Sequence, residues 1–205
     1  MYVSPSIQAE RSARSRGAPL EAAARGLSRY GYGNLNLERV ASEAGYTRGA
    51  LYHQFRDKQD LALAVIDWVD ETWRKEVGPL ADLENDPAAA LIAIARGHAL
   101  YCRRDVARVA TALRFDFQDR DHPVGRRLEE VSEGFITRCT RLIGAGRRIG
   151  TIPPGPPART VALAFFGALE GTVIQVAGLA PHDEALAARA AAGVLGLGPD
   201  AISIQ

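Results

Sequence analysis

The apolar residues of this chain recur at helical spacing along nearly its whole length. In one stretch Val124, Leu128, Val131, Phe135 and Cys139 follow one another at steps of three or four residues. This spacing puts side chains on one face of an α-helix. We find no alternation of apolar and polar residues bounded by hairpin turns, which a half-buried strand would show. The sequence therefore predicts an all-α protein of about nine helices.

Glycine and proline indicate where these helices end. The first predicted helix runs through Leu20 and Leu27 and stops at Tyr30-Gly31-Tyr32-Gly33, where glycine supplies the backbone freedom that a helix end needs. A longer helix that begins after Asp57 should stop near Gly78-Pro79. The proline-rich segment 152–157 cannot continue a helix, so we expect a connector there.

Charge is distributed unevenly along the chain. Residues 1–60 carry nine Lys and Arg against six Asp and Glu, which leaves 16 basic and 18 acidic residues for the remainder. A weakly basic N-terminal part joined to a weakly acidic body suits a module that faces phosphates and a body with another role.

The cysteines and the apolar segments indicate the cellular compartment in which the protein is expected. Cys102 and Cys139 are far apart and lack CxxC spacing, so a reducing compartment is the simpler interpretation. The N-terminal segment lacks the apolar core of a signal peptide, and no later stretch is an uninterrupted apolar run long enough to cross a bilayer. We therefore expect a soluble, cytoplasmic protein.

Residues 37–55 have the pattern of two helices joined by a tight turn. Gly45 can adopt the left-handed conformation that ends the first helix, and Thr47 is a natural N-cap for the second. Val40, Leu51 and Phe55 should face a shared core, which lets the second helix enter the major groove of DNA. The outward residues of that helix are Thr47, Arg48, Gly49, Tyr52 and His53.

Several linked segments in this order resemble the DNA-binding signature of the TetR family of transcriptional regulators. They are Gly31-Tyr32, Val40-Ala41-Ser42-Glu43-Ala44-Gly45, Gly49-Ala50-Leu51-Tyr52-His53-Gln54-Phe55 and Asp57-Lys58-Gln59-Asp60-Leu61. The resemblance covers about the first third of the chain. It implies a three-helix helix-turn-helix domain over residues 1–56, a connecting helix over 57–78, and a helical ligand-binding and dimerisation domain over 79–205.

The resemblance also implies roles for individual residues. Thr47, Tyr52, His53 and Lys58 would contact phosphates or lie beside them, and Asn36 would cap the preceding helix and also meet phosphate. Arg48 is the candidate for base reading, because a guanidinium can donate two hydrogen bonds to guanine. The alternative for Tyr52 and His53 is an ordinary solvent-facing pair. For Arg11, Arg14 and Arg16 a solvated, disordered tail is expected.

The larger C-terminal part should hold a small-molecule effector between helices, at a mostly apolar site with a few polar groups. The alternative for the histidine and the aromatic residues of this part is a structural place in the core. Glu170 should lie either at the ligand site, where it would contact a polar ligand group or a cation, or at the edge of the helical bundle with its carboxylate in solvent. The candidate ligand-binding residues are His98, Tyr101, Cys102, Phe115, Phe135, Cys139, Phe166 and Glu170.

Small residues in the penultimate predicted helix predict a dimer. Ala164, Gly167, Gly171 and Gly178 fall along one side, and glycine inside a helix costs about 1 kcal/mol relative to alanine unless close packing compensates. With the last helix, this face should form a two-fold interface that spaces two recognition helices by roughly 34 Å.

The function that follows is a ligand-responsive regulator, with repression of a palindromic operator and release by an effector as the expected mode. An enzyme is the first alternative, but the chain lacks the GxSxG, HExxH and GxxxxGK[ST] motifs and its four histidines are dispersed. We therefore expect no catalytic residues, no metal site and no cofactor. A helical adaptor is the second alternative, and it would show no salt-dependent DNA affinity.

Overall fold

The computed structural model describes residues 7–117, 121–176 and 178–198, although not the side chains of residues 7–16. Within these ranges the regular elements are ten α-helices and one 3₁₀ helix, with no strand. The α-helices are α1 (Ile7–Tyr30), α2 (Leu37–Glu43), α3 (Arg48–Gln54), α4 (Lys58–Glu76), α5 (Gly78–Asp82), α6 (Pro87–Tyr101), α7 (Val109–Asp116), α8 (Pro123–Ile149), α9 (Ala158–Val176) and α10 (His182–Leu195). The all-α prediction is confirmed.

Nine of the helices in the described ranges correspond to the nine predicted ones, and the short α5 is the addition. The sequence indicated only a break at Gly78-Pro79. Helix α4 does end before it, but Pro79 then lies in the first turn of α5, where its missing N–H costs nothing. Helix α1 is longer than predicted. Its backbone is helical from Ile7, so the expected disordered tail is wrong for the backbone at Arg11, Arg14 and Arg16, whose side chains lie outside the described residues.

The chain divides into two compact units that are not contiguous in sequence. The first unit consists of the N-terminal part up to Val69 and a later segment, Arg108–Leu128, which we call the return segment because the chain comes back to this unit there. The second unit consists of Asp70–Ala107 and the chain from Glu129 onwards. The division of the chain inferred from sequence used consecutive pieces, so it did not anticipate the return segment. That segment joins the first unit because α7 packs on α1.

The first unit has a small core of short apolar side chains. Ala23 and Leu27 of α1 are fully buried with Leu61 and Val65 of α4. The end of α7 is held by a hydrogen bond, in which the backbone N–H of Tyr32 donates to Oδ2 of Asp116 over 2.6 Å. Gly31, just before it, has φ of +72°, and a Cβ there would lie 2.9 Å from a carboxylate oxygen of Asp116. The left-handed backbone therefore favours glycine, and any larger residue would also force the Asp116 carboxylate to shift.

The core of the second unit is formed mainly by α6, α9 and α10, and α5 and α8 also contribute buried side chains. Helix α10 packs closely on α6 and α9 because its inward positions are alanines. Large side chains fill the remaining volume, with Leu91, Ile94 and Phe165 fully buried. The buried alanines of α10 are Ala187, Ala188, Ala191 and Ala192.

An ion pair ties the end of α6 to the start of α10. Arg103 donates to both carboxylate oxygens of Asp183 over 2.9 and 2.8 Å, and the Asp183 side chain is only 1% exposed. The arginine follows the negative end of α6, and the aspartate lies in the first turn of α10, at its positive end. The guanidinium holds the pKa of Asp183 below its usual value.

Among the described helices, α9 alone is long and apolar enough to cross a membrane by length and composition. Val161, Ala162 and Phe165 of this helix are buried in the core of the second unit, together with Leu169. Only 28% of its most apolar stretch is buried, so α9 packs on the core with one face and exposes the other.

Candidate DNA-binding surface and sensing site

The turn between α2 and α3 is built by local hydrogen bonds. Asn36 caps α2, its Oδ1 accepting from the backbone N–H of Glu38 over 2.8 Å and of Arg39 over 3.1 Å. Thr47 caps α3, its hydroxyl accepting from the N–H of Ala50 over 3.2 Å. Gly45 has φ of +71°. The predicted caps and the left-handed glycine are therefore confirmed.

The same two helices share a core. Val40 and Ala41 of α2 are buried, as are Leu51 of α3 and Phe55 directly after it. Burial of one face leaves the other face of α3 open to solvent. The side chains of Thr47, Arg48, Tyr52 and His53 are exposed, as predicted, and a Cβ at Gly49 would meet nothing within 4 Å.

Arg48 is held across this open surface. Its guanidinium lies 2.7 Å from a carboxylate oxygen of Glu38 and 5.4 Å from the ring centre of Tyr52. Both partners are exposed, so each contact is weak and can be exchanged for a stronger one. The exposed Arg48 side chain thus lies on the solvent-facing side of α2 and α3.

Lys58 lies beside the turn that follows α1. Its ammonium group donates to the carbonyl oxygen of Gly33 over 2.8 Å and sits 4.5 Å from the ring centre of Tyr32. The ring of Tyr32 in turn packs edge-on against Phe117, 4.8 Å between centres. Burial raises the pKa of Tyr32, with a further contribution from Asp57. The start of α4 and the end of α7 thus meet at one turn of the first unit.

A second group of side chains lies inside the second unit. The indole N–H of Trp73 on α4 donates to Nδ1 of His98 on α6 over 3.1 Å. The Trp73 ring packs edge-on against Phe135 of α8, 5.4 Å between centres, and Phe135 lies 5.6 Å from Phe166 of α9. Four helices therefore contribute to one group, which we call the sensing cluster. It comprises Trp73, His98, Cys102, Phe135, Phe165, Phe166 and Glu170.

Burial and one charge control the histidine of this cluster. Burial lowers the pKa of His98, and the carboxylate of Glu170 acts in the opposite direction. Because Nδ1 accepts the Trp73 N–H, the neutral imidazole carries its proton on Nε2, which lies 3.7 Å from Sγ of Cys102. Glu170 is half-buried on α9, so its two expected positions, at the ligand site and at the bundle edge, both stay predictions.

The remaining ligand-site candidates lie in different surroundings. Cys139 is fully buried in the core of the second unit, and burial raises its pKa to about 12. The buried Tyr101 has its hydroxyl 2.8 Å from Oγ1 of Thr72 and its ring 4.2 Å from the guanidinium carbon of Arg104. Phe115 is 69% exposed on α7 of the first unit. It is therefore no part of the cluster, because Val109 and Leu113 take the inward face of that helix.

Trp73 lies in the predicted connecting helix over residues 57–78 and was not among the ligand-site candidates, yet it contacts both His98 and Phe135 in the cluster. The sequence held one chemical indication that Trp73 and His98 could pair. An indole that packs in an apolar environment needs an acceptor for its N–H, and His98 was a histidine on an apolar stripe. The two are 25 residues apart, and nothing local in the sequence pairs them.

The chain is similar to known bacterial regulatory proteins in sequence and in fold. The model of bacterial regulatory proteins of the tetR family matches residues 20–65, which span part of α1, all of α2 and α3, and the start of α4. The uncharacterized HTH-type transcriptional regulator YfiR of Bacillus subtilis (strain 168) is 25% identical over 175 residues, covering 83% of this chain and 84% of YfiR.

Two solved structures share the fold. SCO4454, a TetR-family transcriptional regulator from Streptomyces coelicolor, matches with a TM-score of 0.74 at 22% identity over 90% of this chain and 95% of its own. AibR, in complex with isovaleryl coenzyme A and operator DNA, matches with a TM-score of 0.70 at 18% identity over 90% and 100%. Residues 20–65 thus match the tetR-family model, the chain is similar to an HTH-type transcriptional regulator, and it shares the fold of solved TetR-family structures.

Proposed function

We propose that this protein is a transcriptional regulator of the TetR family, a cytoplasmic repressor that binds a palindromic operator as a homodimer and is released by a small-molecule effector. The observation that carries the proposal is the solvent-exposed face of α3. This helix is capped by Thr47 and is held in place by its buried Leu51. Its function is binding and not catalysis. The similarity in fold to AibR, a protein with isovaleryl coenzyme A and operator DNA bound, supports a pairing of DNA and ligand sites on this fold.

In the proposed complex α3 lies in the major groove. Arg48 exchanges its exposed contact with Glu38 for the edge of a guanine, where two hydrogen bonds are available. Gly49 lets the backbone approach the DNA because it has no side chain. The residues proposed to contact phosphate, or to lie beside it, are Asn36, Thr47, Tyr52, His53 and Lys58.

The proposed dimer interface is the outer face of α9 and α10. Leu163 and Ile174 of α9 are 47% and 52% exposed, and Leu186 of α10 is 46% exposed. Ala164, Gly167 and Gly171 lie on the exposed side of α9 and would allow another helix to approach closely. Gly178, expected on the same face, instead lies in the turn after α9 with φ of +84°. A second copy of the chain would cover these apolar side chains.

The proposed release is a shift between two arrangements of the dimer. The ligand would bind at the sensing cluster, to which α4 contributes Trp73. The chain passes from the first unit to the second within this same helix, between Val69 and Asp70. A change at Trp73 would therefore act on a helix that begins in the DNA-binding unit.

The deciding experiment selects bound duplexes from a random pool with purified protein and no effector. We expect enrichment of an inverted repeat, and an affinity for it that falls steeply with salt as counterions are released from phosphates. Sedimentation equilibrium on the same sample should give a dimer.

Two variants sharpen the selection. Arg48→Ala should relax the preference at one base position per half-site, whereas Arg25→Ala, which removes an exposed pair with Glu21 in the same unit, should leave the selected sequence unchanged. Failure of a folded dimer to enrich any sequence at low salt would contradict the repressor proposal. A monomer that still selects an inverted repeat would contradict only the interface.

A further inference from the structure

The turn that follows α1 is held by residues from far along the chain. The backbone N–H of Tyr32 donates to Oδ2 of Asp116, the last residue of α7, over 2.6 Å. The ring of Phe117, the next residue, lies edge-on to the Tyr32 ring with 4.8 Å between centres. Phe117 is itself stacked on His122, 4.4 Å between centres. The return segment therefore fixes both the backbone and the ring of Tyr32.

The ring of Tyr32 in turn holds a lysine. The ammonium nitrogen of Lys58 lies 4.5 Å from the centre of that ring and donates to the carbonyl oxygen of Gly33 over 2.8 Å. Lys58 is the first residue of α4, the helix that follows α3 along the chain. An ammonium group has three N–H donors, so the bond to Gly33 leaves donors for a phosphate oxygen. The Lys58 side chain is thus oriented before any DNA binds.

We propose that Asp116 and Phe117 are positioning residues for DNA binding, which hold Tyr32 so that Tyr32 holds the ammonium group of Lys58 for a phosphate. A lysine side chain has much rotamer freedom, so one that is already held loses less entropy when it makes a contact. This support is separate from the local caps of α3. The inference rests on the proposed function, because it names residues that support the same DNA-binding surface.

The test titrates purified full-length protein with the selected operator and with a mismatched duplex over a series of salt concentrations. We expect Phe117→Ala to weaken binding to both duplexes by the same factor, at least ~3-fold, because a phosphate contact carries no base preference. The slope of log affinity against log salt should become shallower by about one per protomer, as it should in Lys58→Ala.

A second background separates positioning from loss of structure. In Lys58→Ala, the further change Phe117→Ala should leave the affinity unaltered, because both substitutions remove one contact. General damage to the first unit would instead weaken binding in both backgrounds. Phe115→Ala is the matched control, since Phe115 precedes Phe117 closely on α7 but is 69% exposed. It should bind both duplexes like the wild type.

Asp116 provides a second route to the same turn, which serves if Phe117→Ala folds poorly. Asp116→Ala removes the acceptor of the Tyr32 N–H and should make the salt slope shallower, as Phe117→Ala does. Asp116→Asn keeps a side-chain oxygen that can accept this hydrogen bond. It should therefore keep the wild-type slope.

The other outcomes contradict the inference. Wild-type affinity and slope in Phe117→Ala and Asp116→Ala would show that Lys58 needs no support from the return segment. Losses that add to that of Lys58→Ala, or that fall on the operator alone, would place their cause elsewhere. A Lys58→Ala variant that binds like the wild type would contradict this inference but not the repressor proposal, whereas a wild type that selects no sequence contradicts both.

Discussion

The recognition helix and the sensing cluster differ in where their side chains find their partners. In α3 and the turn before it, the cap at Thr47 and the left-handed Gly45 are set within a few residues of sequence, and the polar face remains exposed. In the cluster, Trp73, His98, Phe135 and Phe166 come from four helices. A surface for DNA can thus be built locally, while a site for a small molecule needs the tertiary fold.

The largest expected effect separates the two regions by stability. Phe165 is fully buried beside Phe135. The substitution Phe165→Ala should lower the unfolding free energy of the protein by about 3–5 kcal/mol, because it leaves a large cavity. Tyr52→Ala on the exposed face of α3 should change stability by within about 0.5 kcal/mol but weaken DNA binding. Urea unfolding and a DNA titration of both variants measure the two effects. If both variants lost the same unfolding free energy, the two regions would not differ in their contribution to stability.

A smaller effect is expected on the DNA side. Arg48→Ala should cost about 1–3 kcal/mol of specific binding free energy, through the loss of a base contact. Its unfolding free energy should hardly change, because the ion pair with Glu38 is exposed. Titration of the selected operator and a mismatched duplex measures the loss. An identical loss on both duplexes would reassign Arg48 to phosphate contact.

The sensing cluster should also respond to pH. The pKa of His98 lies below its ordinary value of 6.5 in the folded chain because of burial, so the unfolded chain takes up the proton more readily. Stability should therefore fall as the pH drops below the ordinary value, by at most about 1.4 kcal/mol per pH unit from this proton. Unfolding of His98→Gln across that range should lack this contribution. His53→Gln is the control, since that imidazole is exposed on α3.

The smallest effect tests the local origin of the recognition helix. Thr47→Ala should cost about 1 kcal/mol, because the N–H of Ala50 loses its acceptor, and Thr47→Ser should restore most of it. The temperature of unfolding measures both variants. A loss that serine does not restore would show that the methyl group of Thr47 matters more than its cap.

The features that could be predicted from sequence are those with local causes. The caps at Asn36 and Thr47 and the break at the prolines of 152–157 each depend on a few consecutive residues, so residue type was sufficient. Phe115 was taken as a ligand-site candidate because it is aromatic, and Gly178 was placed on a helix face from spacing alone. Residue type does not show which face of a short helix packs inward, and spacing does not show where a helix ends, so Phe115 is exposed and Gly178 lies in a turn.

The amino-acid sequence determined the helical class, the helix-turn-helix and the polar face of α3, because helix periodicity and capping act over one or two turns. Tertiary structure alone decided that Asp116 would hold the turn at Tyr32, that Arg103 would pair with Asp183, and that Trp73 would meet His98. These partners lie 84, 80 and 25 residues apart. Such contacts form only when distant helices pack, since the close packing of whole side-chain sets selects which polar groups meet.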